Sequence, residues 1–204
     1  MARLATQTEA GVAAEILGRA FVDDPVLTAF FRESPQAARL AQYFELECRL
    51  VLKGYGEIWL DDDRLGAAIW RSPGGYPERL RDSLPMVPRY IRLFPREFIR
   101  ASRAMNQLWQ VHPREPHWYL YAVGVVPEAT GQGRGTALLE PVLQRCDAEA
   151  LPAYLEASTE DNARLYARLG FERRDEVEMF GVCVRPMWRE PRLGARAPSG
   201  PCRP

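Results

Sequence analysis

The sequence holds little that would tie it to a metal, a disulfide framework or a membrane. Its four cysteines are scattered with no Cys-x-x-Cys pair, and only His112 and His117 could supply imidazole. These absences argue against a zinc site and a disulfide-stapled fold, so we expect reduced thiols in the cytoplasm. No stretch approaches the roughly 20 apolar residues of a membrane helix, and the N-terminus turns polar too soon for a secretory signal.

The formal net charge of the chain is zero. The 204 residues include 27 basic and 27 acidic ones, and Lys53 is the only lysine. Because the two signs cancel, the composition gives no reason to expect a nucleic acid or a membrane as partner. The length suits one domain with a real core, which we expect at residues 1–190. Residues 191–204 are rich in Pro, Gly and Arg and predict a disordered tail.

In the first half of the chain, the spacing of apolar residues and the positions of prolines predict the secondary structure. Ser34 and Pro35 indicate an N-cap followed by proline at the first helical position. A polar turn at 61–64 between two apolar runs indicates an antiparallel hairpin. The predicted elements are a strand at 3–6, helices at 8–21 and 34–54, hairpin strands at 57–60 and 65–70, and helical pieces at 77–84 and 89–109.

The second half alternates more regularly between strands and helices. The nearly continuous apolar run 118–126 predicts a buried central strand, and Gly170 is a predicted helix C-cap. The predicted elements are strands at 118–126, 153–157, 171–177 and 181–188, with a helix starting at 131–135 and another at 162–169. Together these elements indicate a mixed α/β layer, of the α+β type.

Three alternate glycines, Gly131, Gly133 and Gly135, stand between the central strand and the helix that follows it. Glycines allow the backbone to come close to a ligand, and the free N–H groups at a helix start form an anion site suited to a pyrophosphate. By itself the pattern also fits a flexible turn. The spacing is not that of a dinucleotide fold, and a Walker A loop is excluded by the missing Gly-Lys-Ser/Thr.

A second motif covers residues 162–171. Asn162 and Tyr166 are four residues apart on a predicted helix, so their side chains share one face. Taken alone, Asn162 could be a simple N-cap and Tyr166 a core aromatic residue.

Together, the two motifs resemble the GNAT acetyltransferases. That family has Gln/Arg-x-x-Gly-x-Gly/Ala after a strand and then Asn-x-x-x-Tyr-x-x-x-Gly-Phe, which 162–171 matches completely. Thr130 stands where the family usually has Gln or Arg, and we expect weaker coenzyme affinity at most. The resemblance covers residues 3–190, is strongest to the puromycin N-acetyltransferases and is poorest in 73–111. It implies the GNAT fold, with a central mixed sheet of about seven strands flanked by helices.

The resemblance also implies roles for individual residues, with acetyl-CoA as co-substrate and no metal. Tyr166 would protonate the departing thiolate, and Asn162 would bind the pantetheine or phosphate arm. Backbone groups of Val123 and Val125 would bind the pantetheine arm. The pyrophosphate would be held by Gly131, Gln132, Gly133, Arg134, Gly135 and Thr136.

The sequence says less about the acceptor than about the coenzyme site. The divergent helical insert 73–111 would help to shape its pocket. We expect the acceptor to be a small-molecule amine, for example an aminonucleoside antibiotic such as puromycin. The amine would attack acetyl-CoA directly in a ternary complex, and the enzyme would be a monomer or a homodimer. Alternatives are a peptide or protein amino group, a non-catalytic acyl-CoA-binding module, and a nucleotide-binding oxidoreductase that the motif order disfavours. Candidate general bases are Glu45, Glu47, Glu115, His117 or a water chain, and Glu156 is a further candidate for the site.

Overall fold

A computed structural model describes residues 1–32 and 35–192 of the chain. The strands are β1 (Ala2–Leu4), β2 (Gly56–Asp61), β3 (Gly66–Arg71), β4 (Trp118–Val125), β5 (Ala153–Ala157), β6 (Glu172–Arg173), β7 (Val177–Met179) and β8 (Val182–Arg189). The helices are α1 (Ala10–Ala20), α2 (Pro25–Phe31), α3 (Ala37–Val51), α4 (Leu80–Ser83), α5 (Val87–Leu93), α6 (Phe98–Val111), α7 (Arg134–Glu149) and α8 (Glu160–Arg168). The sheet order is β1-β2-β3-β4-β5-β8-β6, and β7 also pairs with β8. The predicted mixed α/β fold with β4 at the centre of the sheet is confirmed.

The sheet opens between β4 and β5. These two strands are parallel and pair at only three positions, the last of which joins Leu120 to Leu155. Beyond that point β4 continues along β3 alone, and β5 continues along β8 alone. The register also shifts because Ile69 pairs with Ala122 and Trp70 with Leu120, which leaves Tyr121 in a β-bulge. A gap therefore forms in the middle of the sheet, and one edge of β4 is left without a strand partner.

Helices cover both faces of the sheet. On one face, α1, α2 and α3 pack against inward-facing residues of β2, β3 and β4. On the other, α7 and α8 pack against the alternate residues of the same strands and of β5. Gly124 allows α1 to approach β4 closely, since a Cβ at this position would lie 2.6 Å from the Cβ of Ala20.

The starts of the first helices follow local capping chemistry. The carboxylate of Asp24 accepts hydrogen bonds from the N–H groups of Val26 and Leu27, both at 3.0 Å, and Pro25 opens α2. The predicted start of α3 at Pro35 is wrong by two residues. The backbone of Gln36 is still extended, at φ −69° and ψ 135°, so this residue becomes the N-cap. Ser34 lies outside the described residues.

Two other predicted elements divide in the structure. The predicted helix at 89–109 is split into α5 and α6, because Phe94 precedes Pro95 and leaves the helical region at φ −130° and ψ 57°. The predicted strand at 171–177 becomes β6 and β7, which pair with different parts of β8. This division makes eight strands instead of about seven.

The C-terminal part of the chain remains packed beyond β8. The N–H of Arg192 donates a hydrogen bond of 2.7 Å to Asp147 Oδ1, so the chain is still held at this point inside the predicted tail. Residues 193–204 lie outside the described residues. None of the helices in the described part of the chain combines the length and the apolar character that a membrane crossing needs.

The ion pair between Asp147 and Arg189 fastens β8 to α7, and removing it should destabilise the fold. Arg189 donates to both carboxylate oxygens of Asp147 at 2.8 Å, and its side chain is only 3% exposed. The hydrogen bonds from Arg189 hold the pKa of Asp147 below its ordinary value. We expect Asp147→Asn to lower the free energy of unfolding at neutral pH by about 1–3 kcal/mol, measured by urea denaturation.

The pH dependence of that loss follows from the lowered pKa. The stabilisation by Asp147 is present above the unfolded-state pKa of about 3.9 and disappears as the pH falls through the lowered folded-state value. The difference between parent and variant should therefore shrink in acid. Asp62→Asn is the control, because Asp62 pairs with the N-terminus at a side-chain exposure of 54% and should contribute under about 1 kcal/mol. A deficit in Asp147→Asn that stays constant down to low pH would contradict this explanation.

Candidate active site

The glycine-rich turn after β4 forms a backbone cradle at the start of α7. Gly131 and Gly133 both have φ +75°, a left-handed conformation that favours glycine. Residues that alternate in this way direct successive N–H groups toward one side and create an anion-binding concavity. Gly133 is the N-cap of α7 and makes no side-chain capping bond. The first N–H groups of the helix are therefore free for a ligand.

The space in front of the cradle is open. A Cβ built on Gly131, Gly133 or Gly135 would meet no other atom within 4 Å. The side chain of Arg134 is turned aside, since it forms ion pairs with Asp61 and, at 2.8 Å, with Asp63 in the β2–β3 turn. Backbone N–H groups, rather than the Arg134 guanidinium, are thus the groups that the cradle presents.

Thr130 supports the turn that precedes the cradle. Its hydroxyl donates a hydrogen bond of 3.0 Å to the carbonyl oxygen of Pro127. The side chain is therefore used within the 3-10 turn at Pro127–Ala129. The residue that replaces the usual Gln or Arg has a local structural role here.

The second motif forms α8. This helix starts earlier than predicted, because Thr159 is its N-cap and accepts a hydrogen bond of 3.1 Å from the N–H of Asn162. Asn162 is therefore not the N-cap; it lies exposed in the first turn. Gly170 ends the helix at φ +94°, and the N–H of Phe171 returns to the carbonyl of Tyr166 at 3.1 Å. The predicted C-cap is confirmed.

Tyr166 is buried on α8, in the cluster that also contains Leu120 and Leu155, the last residues at which β4 and β5 pair. Among the described residues, no hydrogen-bond partner of its hydroxyl is found. Burial raises the pKa of Tyr166 above its ordinary value, and the nearby charge of Asp24 adds to the effect. The phenol is thus kept protonated and keeps a proton to donate.

Comparison with known proteins identifies the family. The model of the acetyltransferase (GNAT) family matches residues 90–171. An uncharacterized N-acetyltransferase from Schizosaccharomyces pombe is 36% identical over 205 residues, which cover 91% of this chain and 81% of that protein. The chain belongs to the GNAT acetyltransferase family. It is accordingly an acetyltransferase, and acetyl-CoA is the co-substrate of its family.

Other relatives support the same family. The mycothiol acetyltransferase of Streptomyces griseus is 42% identical over 129 residues, but the matched region spans only 41% of that protein. A solved structure from Corynebacterium glutamicum, described as a histone acetyltransferase and related acetyltransferase, superposes with a TM-score of 0.67. It is 29% identical, and the superposition covers 96% of this chain and 98% of that one. The GNAT fold predicted from the sequence is confirmed.

A buried ion network links the end of β3 to α3 and α5. Arg71 at the end of β3 is only 1% exposed and pairs with Glu47 at 2.6 Å and with Glu78. The hydroxyl of Tyr90 donates to the other oxygen of Glu47 at 2.6 Å. Glu47, a candidate general base in the sequence, is therefore a carboxylate already engaged by a guanidinium and a phenol.

The remaining candidate bases are held in different ways. Glu45 is half-buried and pairs with Arg49 one helical turn away, at 2.6 Å. Glu115 is exposed, and its carbonyl oxygen lies 2.6 Å from Nδ1 of His117. Burial lowers the pKa of His117.

From the sequence, His112 is considered only as a source of imidazole for a metal, and its contact with Glu156 is not predicted. This residue caps the C-terminus of α6, is buried, and has its Nδ1 3.9 Å from Glu156 Oε1 on β5. A single histidine far from either motif gives no signal in the sequence. Glu156, in contrast, lies on a predicted strand, two residues after Tyr154. The contact depends on how α6 crosses the sheet.

Breaking the buried network should cost more stability than any surface pair. We expect Arg71→Ala to lower the free energy of unfolding by about 3–5 kcal/mol, because two buried carboxylates lose their cation. The loss should shrink in acid, where protonation removes the unpaired charge. Urea denaturation measures the effect, and Arg81→Ala is the control, since Arg81 is 73% exposed beside Asp82. A loss below about 1 kcal/mol would be typical of a surface pair and would contradict the assignment.

Proposed function

We propose that this chain transfers the acetyl group of acetyl-CoA to the amine of a small molecule, by direct attack within a ternary complex. Three features support the proposal: the open cradle at the start of α7, the edge of β4 beyond Leu120 that pairs with no described strand, and Tyr166 in the same cluster as Leu120 and Leu155. A thioester is already activated. The enzyme must mainly align an amine with its carbonyl and manage two protons.

Each residue predicted for the coenzyme site has a role in binding acetyl-CoA. The N–H groups from Gly131 to Thr136 bind the pyrophosphate, as the positive φ angles and the uncapped helix start favour. Val123 and Val125 pair only with β3, so the other edge of β4 can bind the pantetheine arm. Asn162, exposed in the first turn of α8, binds the same arm in this proposal. An N–H on this edge polarises the thioester carbonyl.

Tyr166 is the proposed general acid. Its ordinary pKa of about 10 already exceeds that of a thiol, near 8.5, and burial raises it further. A proton on this hydroxyl is available when the C–S bond breaks. Donation to the leaving thiolate makes the departure of coenzyme A easier.

The acceptor side involves the insert at 73–111. Within it, α5 packs against α3, and α6 packs against β7. The end of α6 brings Trp109 and His112 over the aromatic residues of β4 and β5. We propose that this segment of a single domain at 1–190 shapes the acceptor pocket. Because it is also the part least similar to puromycin N-acetyltransferases, puromycin is one candidate acceptor among several.

A second candidate acceptor is a peptide or protein amino group. It is favoured by the 29% identity with the Corynebacterium glutamicum structure described as a histone acetyltransferase and related acetyltransferase. The matched mycothiol acetyltransferases extend well beyond this chain, which spans 41% of one of them, so their substrate does not transfer to it.

A thiol-release assay with acetyl-CoA separates these functions. The panel should contain puromycin, tyramine, agmatine and a lysine-containing peptide, each at several concentrations. We expect thiol release that depends on a small amine and is accompanied by an acetylated product in mass spectrometry. Release with the peptide alone would favour the second candidate. Binding of acetyl-CoA without release in any reaction would indicate a non-catalytic acyl-CoA-binding module.

A further inference from the structure

Glu156 occupies a special position in the opened sheet. It follows Leu155, the last residue of β5 that pairs with β4. Leu155 and Ala157 pack toward α7 and α8, so Tyr154 and Glu156 project from the opposite face. Tyr166 belongs to the cluster on the α7 and α8 side. Glu156 and Tyr166 can therefore act on one thioester only from opposite sides of the gap.

The carboxylate of Glu156 is buried without a full cationic partner. Its side chain is 10% exposed, and within 1–32 and 35–192 its ion-pair contact is His112, at 3.9 Å. The buried guanidinium of Arg71 is already shared by Glu47 and Glu78. A buried charge is costly unless it is paired. The Glu156 carboxylate can thus pair with a cationic group of a bound ligand.

Aromatic groups surround this carboxylate. The rings of Tyr76, Tyr119 and Tyr154 each lie 4.9–5.1 Å from the ring of His112. The negative charge of Glu156, after burial, raises the pKa of both Tyr119 and Tyr154, and hydrogen bonding of each phenol to the carboxylate adds to the effect. Aromatic faces around a carboxylate are groups that bind an ammonium ion.

Resting on the proposed function, we propose that Glu156 and the tyrosine rings around it form the ammonium subsite of the acceptor. The acceptor class is then a primary amine that arrives as a cation. Glu156 contacts the ammonium group and removes a proton from it. His112 acts through Glu156 as a positioning residue, since it holds the carboxylate and takes up the proton on the way to solvent.

The proton balance is simple. The ammonium group loses one proton to Glu156, and the freed lone pair forms a C–N bond with the thioester carbonyl carbon. The C–S bond breaks, and the thiolate takes the proton of Tyr166. The second proton of the attacking nitrogen passes to solvent, and solvent returns one to Tyr166. One proton is released for each acetyl group transferred.

Substitution of Glu156 tests the subsite directly. We expect Glu156→Gln to raise the KM for tyramine and agmatine about 10- to 100-fold, since one charge-assisted hydrogen bond is lost, and to lower kcat as well. The KM for acetyl-CoA should not change. Tyrosol, which replaces the ammonium group of tyramine with a hydroxyl, should stabilise the parent with bound coenzyme A less than tyramine does in thermal melts. This preference should disappear in Glu156→Gln.

The positioning role of His112 needs a readout that a packing residue would not alter. We expect His112→Asn to change the acid limb of the pH profile of kcat/KM for tyramine. His117→Asn is the matched control: His117 is also a buried histidine, 5.0 Å from His112 between ring centroids, but its Nδ1 contacts the Glu115 carbonyl oxygen. The profile of His117→Asn should match that of the parent.

Several results would overturn the proposal. These are unchanged amine KM and kcat in a folded Glu156→Gln, or a pH profile altered in His117→Asn but not in His112→Asn. Binding of acetyl-CoA with neither stabilisation nor turnover by tyramine or agmatine would exclude this acceptor class. Absence of acetyl-CoA binding in the parent would instead contradict the proposed function itself, so the two failures are distinguishable by calorimetry.

Discussion

Tyr166→Phe should lower the turnover number about 10²- to 10⁴-fold, the range that general acid–base catalysis supplies. The substitution removes one oxygen and keeps the ring, which packs 6.1 Å from the ring of Phe171. The hydroxyl makes no hydrogen bond to the described residues, so the fold should lose little stability. Affinity for acetyl-CoA should change little. Steady-state rates and calorimetry on the same preparation measure both quantities.

A control and a second substrate sharpen this prediction. Tyr55→Phe also removes a hydroxyl from a buried tyrosine, one that donates to Asp82 and lies outside both coenzyme motifs, and its turnover number should fall far less than that of Tyr166→Phe. The loss in Tyr166→Phe should shrink with an acyl donor whose leaving thiolate is more stable and needs less protonation. Near-normal turnover of Tyr166→Phe would make Tyr166 a core aromatic residue only.

Gly135→Leu should raise the Kd for acetyl-CoA about 10- to 100-fold, because the new side chain blocks the approach of a pyrophosphate to the charge-assisted N–H bonds. Gly135 lies inside α7 without a positive φ, and its Cβ would meet no atom within 4 Å. The free protein should therefore tolerate the change. Gly133 is a less clean target, since its φ of +75° strains any other residue.

Gly11→Leu is the matched control for that experiment. Gly11 also lies within a helix, α1, and its Cβ would meet no atom within 4 Å. Both variants should retain the melting temperature of the parent to within a few degrees, while only Gly135→Leu should lose affinity in calorimetry. Equal affinity of a folded Gly135→Leu and the parent would place the pyrophosphate elsewhere.

The sequence was most informative where the pattern is local. Residues 153–157 are predicted as a strand with the same limits as β5. Gly170 is predicted as a C-cap for a reason that needs no tertiary contact, the left-handed conformation at the end of α8. The glycine cradle and the Asn162–Tyr166 helix follow from motifs of this local kind.

The buried network around Glu47 and the contact between His112 and Glu156 could not be predicted, because both are formed by long-range packing. The burial of Glu47 depends on Arg71 and Tyr90, which are 24 and 43 residues away along the chain. The contact between His112 and Glu156 exists only because α6 ends over β5. Thr159 rather than Asn162 caps α8: its backbone is still extended and its hydroxyl accepts a hydrogen bond from the N–H of Asn162, so the helix already begins at Glu160.

The stoichiometry of acetyl transfer tests the central claim most directly. Purified protein is mixed with acetyl-CoA and a panel amine, and free thiol and N-acetylated amine are quantified over the same time course. A direct transfer in a ternary complex predicts one acetylated amine for each thiol released, and initial rates that depend on both substrates with intersecting double-reciprocal lines. Thiol release that does not depend on the amine, or that exceeds the acetylated product, would contradict the account.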